Sequence, residues 1–296
     1  FAPLVVLLPA TLLRCFRWRS GDSSPACGIL LGLVTVPTAL FLLTYGRLYL
    51  PRRPIRVVGP TFTVMTYNVL YRNSDAGGVA AAIKAQDPDF VGLHELEPPM
   101  AQALESRLAG RYPYHRVGHW CGFFSRYPIL QYEAFRLGYG EGLGAQQFVL
   151  DIDGRPVNVL SVHPRSPPLR GFHPFGLPLG VPTGFAHQGR DADMRDLLAR
   201  LESVDGPLVL IGDFNLTDQQ SLYRPLTRRL RDAHQESGWG MGFTFTRFPS
   251  LGLPMWRIDY VFHSPDLVAF STAVGDYGGS DHRPVIARLG FGVAGE

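Results

Sequence analysis

Short apolar, β-branched runs recur after residue 61: FTVMTYNV, DFVGLHEL, GFFSRYPI, QQFVLDI, VNVLSVH, LVLIGDFN, RIDYVFHS and HRPVIARL. Most have the length of a strand and are bounded by Gly, Pro or Asp. Helical periodicity occurs only between some of them, over residues 78–86, 100–108 and 190–202, the last with Met194, Leu197, Leu198 and Leu201 on one face. Strands mixed with few helices, many joined by hairpin-length links, bury their apolar faces best as an α+β sandwich of two sheets flanked by helices.

These strands end on polar groups. Asn68 follows TVMTY, Glu95 follows DFVGLH, His163 follows VNVLSV, and Asp213 with Asn215 follows LVLI. Asp259 sits inside RIDYVF, and Asp281–His282 opens DHRPVIARL. Any one of these is ordinary as a turn former or a satisfied core residue. Burying six such groups without partners costs several kcal/mol apiece. If the strands stack in sheets, the groups converge, and together they make a site.

Carboxylates with amides, and no Cys/His zinc pattern, suit a hard, oxygen-seeking cation such as Mg²⁺ or Mn²⁺. The sequence carries no Gly-rich phosphate loop, nucleophile elbow or HExxH. Histidines beside acids suit proton handling and phosphate binding. Hydrolysis of a phosphate ester or anhydride needs a metal to polarise the phosphoryl group, a base for water, and clamps on the oxygens. Each is available here.

Ahead of the strand-rich region, residues 27–46 (CGILLGLVTVPTALFLLTYG) contain no charge. That length matches the ~30 Å hydrocarbon core of a bilayer, and the expectation is a membrane helix over residues 26–50. Residues 1–13 are apolar but too short to cross alone and read as the end of a truncated membrane helix. Residues 14–25 then form a loop, 51–60 a linker and 61–296 a catalytic domain. Arg14, Arg17 and Arg19 in that loop put the catalytic domain on the extracytoplasmic side of the cell membrane, although Arg47, Arg52, Arg53 and Arg56 weigh the other way. Three cysteines (Cys15, Cys27, Cys121) make no disulfide framework.

The motifs TYNV, HELE, SVHP, GDFN, RIDYVF and SDHRPV, in this order, resemble the endonuclease/exonuclease/phosphatase superfamily, over residues 61 to about 291. The resemblance implies a DNase I-like four-layer sandwich and a Mg²⁺- or Mn²⁺-dependent phosphoric ester or anhydride hydrolase. It implies that Glu95 is the main metal ligand with Asn68 beside it, and that Asp281 lies near the metal or the His network. Asp213 would hold and deprotonate the attacking water, while Asn215, and Asn68 on the metal side, bind phosphate oxygens. His282, oriented by Asp259, would contact the phosphoryl group, and His163 would stabilise the transition state or assist the leaving group. For Arg190, phosphate binding and a packing role stand level. With membrane helices in front, the chain is similar to the teicoplanin-resistance-type membrane proteins, proposed to act on lipid-linked cell-wall intermediates. Three departures stand out: His94 replaces the usual Gln, no acid follows Asn68, and no acid lies between Arg111 and Pro128. The last two weaken a nuclease reading.

Between His163 and Arg190 lies PRSPPLRGFHPFGLPLGVPTGFAHQG, too long for an ordinary connection and too rich in Pro and Gly for regular structure. Its apolar side chains either form a lip at the mouth of the site or cover a sheet edge. A lip suits a lipid-linked, polyprenyl-diphosphate-like substrate presented at a bilayer. Nucleic acid is disfavoured, because a formal charge of +3 and scattered arginines give no basic face. A membrane-tethered endonuclease and a sphingomyelinase-type phosphodiesterase are the alternatives, and a catalytically dead headgroup-binding module is the non-enzymatic one. The basic run in residues 223–234 reads as the solvated face of a helix.

Overall fold

The computed structural model describes residues 25–51, 59–138, 140, 144–172, 181–247 and 255–292. The chain divides into two units, Phe1–Arg53 and Pro54–Glu296. The first contains helix α1 (Pro25–Tyr45) and a 3₁₀ turn, Gly46–Tyr49.

The second unit is built on two six-stranded mixed sheets, with strands numbered in chain order. One runs β13 (Leu267–Val274), β14 (Val285–Phe291), β1 (Thr61–Asn68), β2 (Phe90–Leu96), β4 (Trp120–Ser125), β3 (Tyr114–Gly118). The other runs β11 (Arg231–Asp232), β12 (Asp259–His263), β10 (Leu208–Asp213), β7 (Arg155–Val162), β6 (Gly144–Ile152), β5 (Ile129–Arg136). Each sheet has one parallel pair, β1–β2 and β7–β10, and every other pairing is antiparallel. A parallel pair needs a crossover, supplied by α2 (Ala76–Gln86) between β1 and β2 and by α4 (Gln188–Glu202) between β7 and β10. These crossovers bring the C-terminal ends of four strands, carrying Asn68, Glu95, His163 and Asp213, to the centres of the two sheets.

Phe62, Val64, Phe90, Phe123, Phe148, Val159 and Val209 fill the space between the sheets. The outer face of the first sheet packs on α2 and α3 (Pro98–Leu108) through Val79, Ile83, Leu104 and Leu108. The outer face of the second packs on α4 and α5 (Tyr223–Arg229) through Met194, Leu197, Leu201 and Leu226. The expected α+β two-sheet sandwich flanked by helices is thus found. The three expected helices begin two residues early: Asp75 accepts a hydrogen bond from Gly78 N to cap α2, and Pro98 opens α3.

The membrane part of the expected fold is corrected. Helix α1 spans 21 residues with Pro37 inside, yet no helix among the described residues is long and apolar enough to cross a membrane. Pro37 lies in the middle of its apolar run, residues 27–46. Within that run Pro37 lacks a ladder donor, and Thr38 bonds its hydroxyl to Val34 O. The expected placement at the cell membrane, with the catalytic domain on the extracytoplasmic side, rested on that span and falls with it. The proposed truncated helix in residues 1–13 and the arginines at 14, 17, 19, 52, 53 and 56 lie outside the described residues.

Two further expectations change. The Pro- and Gly-rich segment contains an antiparallel hairpin, β8 (Leu169–Phe172) with β9 (Val181–Phe185), where irregular structure was expected. In the basic run, α5 ends at Arg229, β11 follows and α6 (Ala233–Ser237) begins. Asp232 and His234 there are buried, so the run is not one solvated helical face.

Candidate active site

The ladder itself aims Glu95. Between His94 and Leu96 the β2–β4 register slips, leaving Glu95 out of the pairing as a bulge with φ 55°. Bulges re-aim a side chain, and a left-handed non-glycine residue costs of order 1–3 kcal/mol that the surroundings must offset. The Glu95 carboxylate accepts from Asn68 Nδ2 at 2.9 Å and from Tyr71 N at 3.1 Å. Asn68 Nδ2 also donates to Asp213 Oδ2 at 3.0 Å, so one amide ties the end of the first sheet to the end of the second. The amide oxygen of Asn68 accepts from Leu70 N, and the residue is fully buried. Asn68, expected beside the metal and phosphate, also ties the two acids together.

Asp213 ends β10 directly after Gly212. A Cβ on Gly212 would sit 1.9 Å from Val162 O, so only glycine lets β10 approach β7 there. Beyond it the chain turns sharply. Asn215 has φ 49°, its N–H donates to Asp213 Oδ1 at 2.9 Å and its Nδ2 donates to Pro164 O at 3.1 Å. His163 Nε2 lies 3.5 Å from Asp213 Oδ2 and 3.9 Å from Glu95 Oε1, charge contacts rather than aligned hydrogen bonds. Asp259 opens β12 opposite Asp213 in register. Its Oδ2 accepts from His282 Nδ1 at 2.9 Å, while His282 Nε2 lies 3.6 Å from Asp213 Oδ2.

The charges set one another. Burial alone would raise the Asp213 carboxyl, but His282, His163 and Asn68 hold it well below the usual carboxylate range. Burial disfavours a charged His282, yet Asp259 and Asp213 outweigh it and push the imidazole up to about 10. His163 is likewise raised, against burial, by Asp213 and Glu95. Burial, reinforced by the charge of His163, drives His94 down to about 3, so this imidazole is neutral. Burial raises Asp259 and Asp281. At neutral pH the centre therefore holds an ionised Asp213 against a protonated His282.

The residues suit a divalent cation. Glu95, His163 and Asp213 each offer one atom, all within 4.8 Å of one another, and Asp213, Asp259 and His282 form a second such group. Both ring nitrogens of His163, Oδ1 of Asp259 and Oδ1 of Asp281 are buried without an intramolecular hydrogen-bond partner. A carboxylate-rich donor set fits Mg²⁺ or Mn²⁺. Asp281 belongs to neither group, but it faces the same cleft, with Oδ1 4.0 Å from His282 Nε2.

That cleft encloses about 810 Å³ and is lined by Glu95, Asp213, Asn215, Asp281 and His282 at its reactive centre. On the His282 flank, Phe245 lies 4.8 Å from the His282 ring and stacks on Trp256 at 5.8 Å and 9°. Pro167, Pro168 and Phe185, from the base of the β8–β9 hairpin, complete an apolar wall. On the Glu95 flank stand Leu70, Tyr71 and Arg72. Arg190 also reaches the cleft but is buried, with Nη1 donating to Asn215 O at 3.0 Å and Gln220 Oε1 at 2.9 Å. Its Nε and Nη2 donate to Asp191 Oδ1. The structure thus brings all nine expected residues to one end of the sandwich (Asn68, Glu95, His163, Arg190, Asp213, Asn215, Asp259, Asp281, His282). Sequence reading missed Ser280, Gln220 and Tyr71; Ser280, inside SDHRPV, carried a signal that could have found it.

Comparison with known proteins places these observations in a family. The model of the Endonuclease/Exonuclease/phosphatase family matches residues 65–282. Sphingomyelinase C from Streptomyces griseocarneus is similar in structure, with a TM-score of 0.56 and 22% identity over 78% of this chain and 99% of that one. D. rerio TDP2 complexed with single-strand DNA product gives 0.60 and 17%, over 78% of this chain and 99% of that one. The mannosyl-6-phosphatase Bt3783 of Bacteroides thetaiotaomicron VPI-5482 gives 0.59 and 17%, over 78% and 100%. No curated protein matches the sequence.

Proposed function

Because this chain belongs to the endonuclease/exonuclease/phosphatase family, we propose that it is a divalent-metal-dependent hydrolase that breaks a P–O bond of a phosphate ester or anhydride by attack of an activated water. The observation that carries this reading is that Asp213 is common to both carboxylate–imidazole groups, so one anion faces a cation site and a protonated histidine at once. When bound, Mg²⁺ or Mn²⁺ supplies positive charge that polarises the phosphoryl group. Glu95 would hold it, helped by His163 and Asp213. Asp213 orients the water and takes its proton as the new P–O bond forms. His282, held by Asp259, donates from Nε2 to a phosphoryl oxygen and meets the charge that develops there. Asn215, held by two backbone hydrogen bonds and by one Nδ2 hydrogen on Pro164 O, donates its other Nδ2 hydrogen to another oxygen.

The substrate carries an apolar group, and a lipid-linked, polyprenyl-diphosphate-like ester is the candidate. Phe185, Phe245 and Trp256 at the His282 flank support it. The test is Mg²⁺-dependent phosphate release from a polyprenyl diphosphate in detergent, beside nicking of supercoiled DNA, with Asp213→Asn as control for each. Release lost in the variant supports the lipid substrate. Nicking lost in the variant, without release, would overturn it in favour of nucleic acid.

A further inference from the structure

Resting on the hydrolase reading, we propose that His163 is a direct metal ligand through Nε2, so that the resident ion is an imidazole-accepting transition-metal dication rather than Mg²⁺. The imidazole stands behind the two acids. Glu95 and Asp213 line the cleft, whereas His163 is 3% exposed and lies outside its lining. It is placed to meet what the two carboxylates hold between them, not a substrate in the cleft. Its Nε2 is 3.5 Å from Asp213 Oδ2 and 3.9 Å from Glu95 Oε1, and the three residues offer one atom each to a group no wider than 4.8 Å. Asn68 Nδ2 donates to those same two oxygens, which leaves each of them a lone pair for a cation.

The far side of the ring is equipped as a metal-bound histidine requires. A ligating imidazole hands its other N–H to a carboxylate, a carbonyl or a water, and that bond fixes the ring. His163 Nδ1 is buried without an intramolecular partner, so no acid orients this ring as a proton donor. Ser161, two residues back on the same face of β7, also holds a buried hydroxyl without one. Gly92 stands opposite: a Cβ there would come within 2.6 Å of Ser161 Oγ, and glycine leaves that space open. The His94 ring, fixed through Nε2 at 3.3 Å from Thr66 Oγ1, lies 5.8 Å from the His163 ring, and its Nδ1 is unpartnered too. One buried water shared among these atoms has the two to four polar partners such a water needs, and it holds His163 with Nε2 toward the acids.

The donor set decides the ion. Mg²⁺ demands oxygen ligands in a near-ideal octahedron and parts reluctantly with its waters. Imidazole suits transition metals, whose affinity for a given site is higher for Zn²⁺ than for Mn²⁺. Two carboxylates with one imidazole therefore discriminate against Mg²⁺. The other imidazole beside Asp213, that of His282, is committed through Nδ1 to Asp259, and His163 has no such commitment. Against burial, Asp213 and Glu95 draw a proton to His163 in the metal-free protein, and a cation between them displaces it.

The experiment titrates Mn²⁺ into the metal-free protein, without substrate, and follows it by electron paramagnetic resonance and electron spin echo modulation. Bound Mn²⁺ should show the hyperfine coupling of a directly bonded nitrogen. Zn²⁺ should displace it at a concentration about a hundredfold or more below that of Mg²⁺. His163→Gln should lose the nitrogen coupling and weaken Mn²⁺ binding by about tenfold or more, while His282→Gln should keep the coupling. Ser161→Ala, which leaves the ligands in place, should weaken Mn²⁺ binding by about tenfold. Bound Mn²⁺ without nitrogen coupling overturns the assignment, as does a coupling that survives in His163→Gln. Mg²⁺ competing as well as Zn²⁺, or no binding of any of the three ions, overturns it too. If the coupling is found but no phosphate ester is hydrolysed with any of these ions, the hydrolase reading falls and the ligand stands. If esters are hydrolysed and the coupling is absent, the ligand assignment alone falls.

Discussion

Ser280 Oγ donates to the backbone carbonyl of Asn68 at 2.7 Å and accepts from His282 N at 3.0 Å, so one buried hydroxyl joins the two flanks of the reacting centre. Ser280→Ala leaves a buried carbonyl and a buried N–H unpaired, at about 1–3 kcal/mol each before relaxation. The expected outcome is a stability loss of about 1–3 kcal/mol in chemical unfolding and turnover lowered by more than tenfold. A variant as stable and as active as the parent would show that the two flanks are positioned independently.

Asp213→Asn keeps the shape and the Asn215 turn but removes the anion. Turnover should fall by about 10³-fold or more, with the fold intact by circular dichroism, because a general base and an ion-pair partner of His282 are lost together. Retention of most activity would move the base elsewhere.

Much of this centre was legible in the sequence, for a physical reason. Buried strands cannot end on Asn68, Glu95, His163 or Asp213 without partners, and those residues turn out to be one another's partners. Roles were less legible than positions. The direction of the Asn68 amide, for one, depends on the Leu70 turn, which no pattern encodes. The bulge at Glu95 comes from a one-residue slip between β2 and β4, invisible to period-2 reading. The apolar stretch over residues 27–46 matched a bilayer in length alone; its expected span was not found, and hydropathy says nothing of how helix α1 is packed.

Arg190 was expected to bind phosphate or to cap packing, and its hydrogen bonds favour a positioning role. Its guanidinium spends its donors on Asn215 O, Gln220 Oε1 and Asp191 Oδ1. Gln220 Oε1 also accepts from Thr217 N, closing the loop that follows Asn215. Arg190→Met should therefore lower kcat by about tenfold or more with KM changed less than about threefold. Gln220→Met should shift the same parameter, and Arg190→Lys should restore part of it. A large rise in KM in Arg190→Met alone would mean direct phosphate contact.

Removing the Glu95 carboxylate while keeping its neighbours tests the cation site. Glu95→Gln should raise the Mg²⁺ or Mn²⁺ concentration for half-maximal activity by about tenfold or more. Its single amide oxygen keeps the hydrogen bond from either Asn68 or Tyr71 and gives up the other, because its amide nitrogen cannot accept. An unchanged metal response would remove Glu95 from the ligand set.

The neutral, buried His94 gives a pH signature in metal-free buffer. An unfolded histidine titrates near 6.5, whereas in the fold burial and His163 drive His94 down to about 3. Between those values the unfolded chain binds a proton that the folded chain refuses, so stability falls as pH drops, by up to ~1.4 kcal/mol per unit for one proton. His282 works in the opposite sense: raised to about 10, it stabilises the fold fully below pH ~6.5 and loses that contribution as pH rises toward 10. It therefore contributes no slope at pH 5–6. His94→Gln cannot titrate, and its urea-unfolding free energy should fall less steeply between pH 6.5 and 5 than that of the parent, by roughly 1–2 kcal/mol over the interval. Parallel pH curves for the two proteins would mean that His94 takes up its proton in the folded state as readily as in the unfolded one.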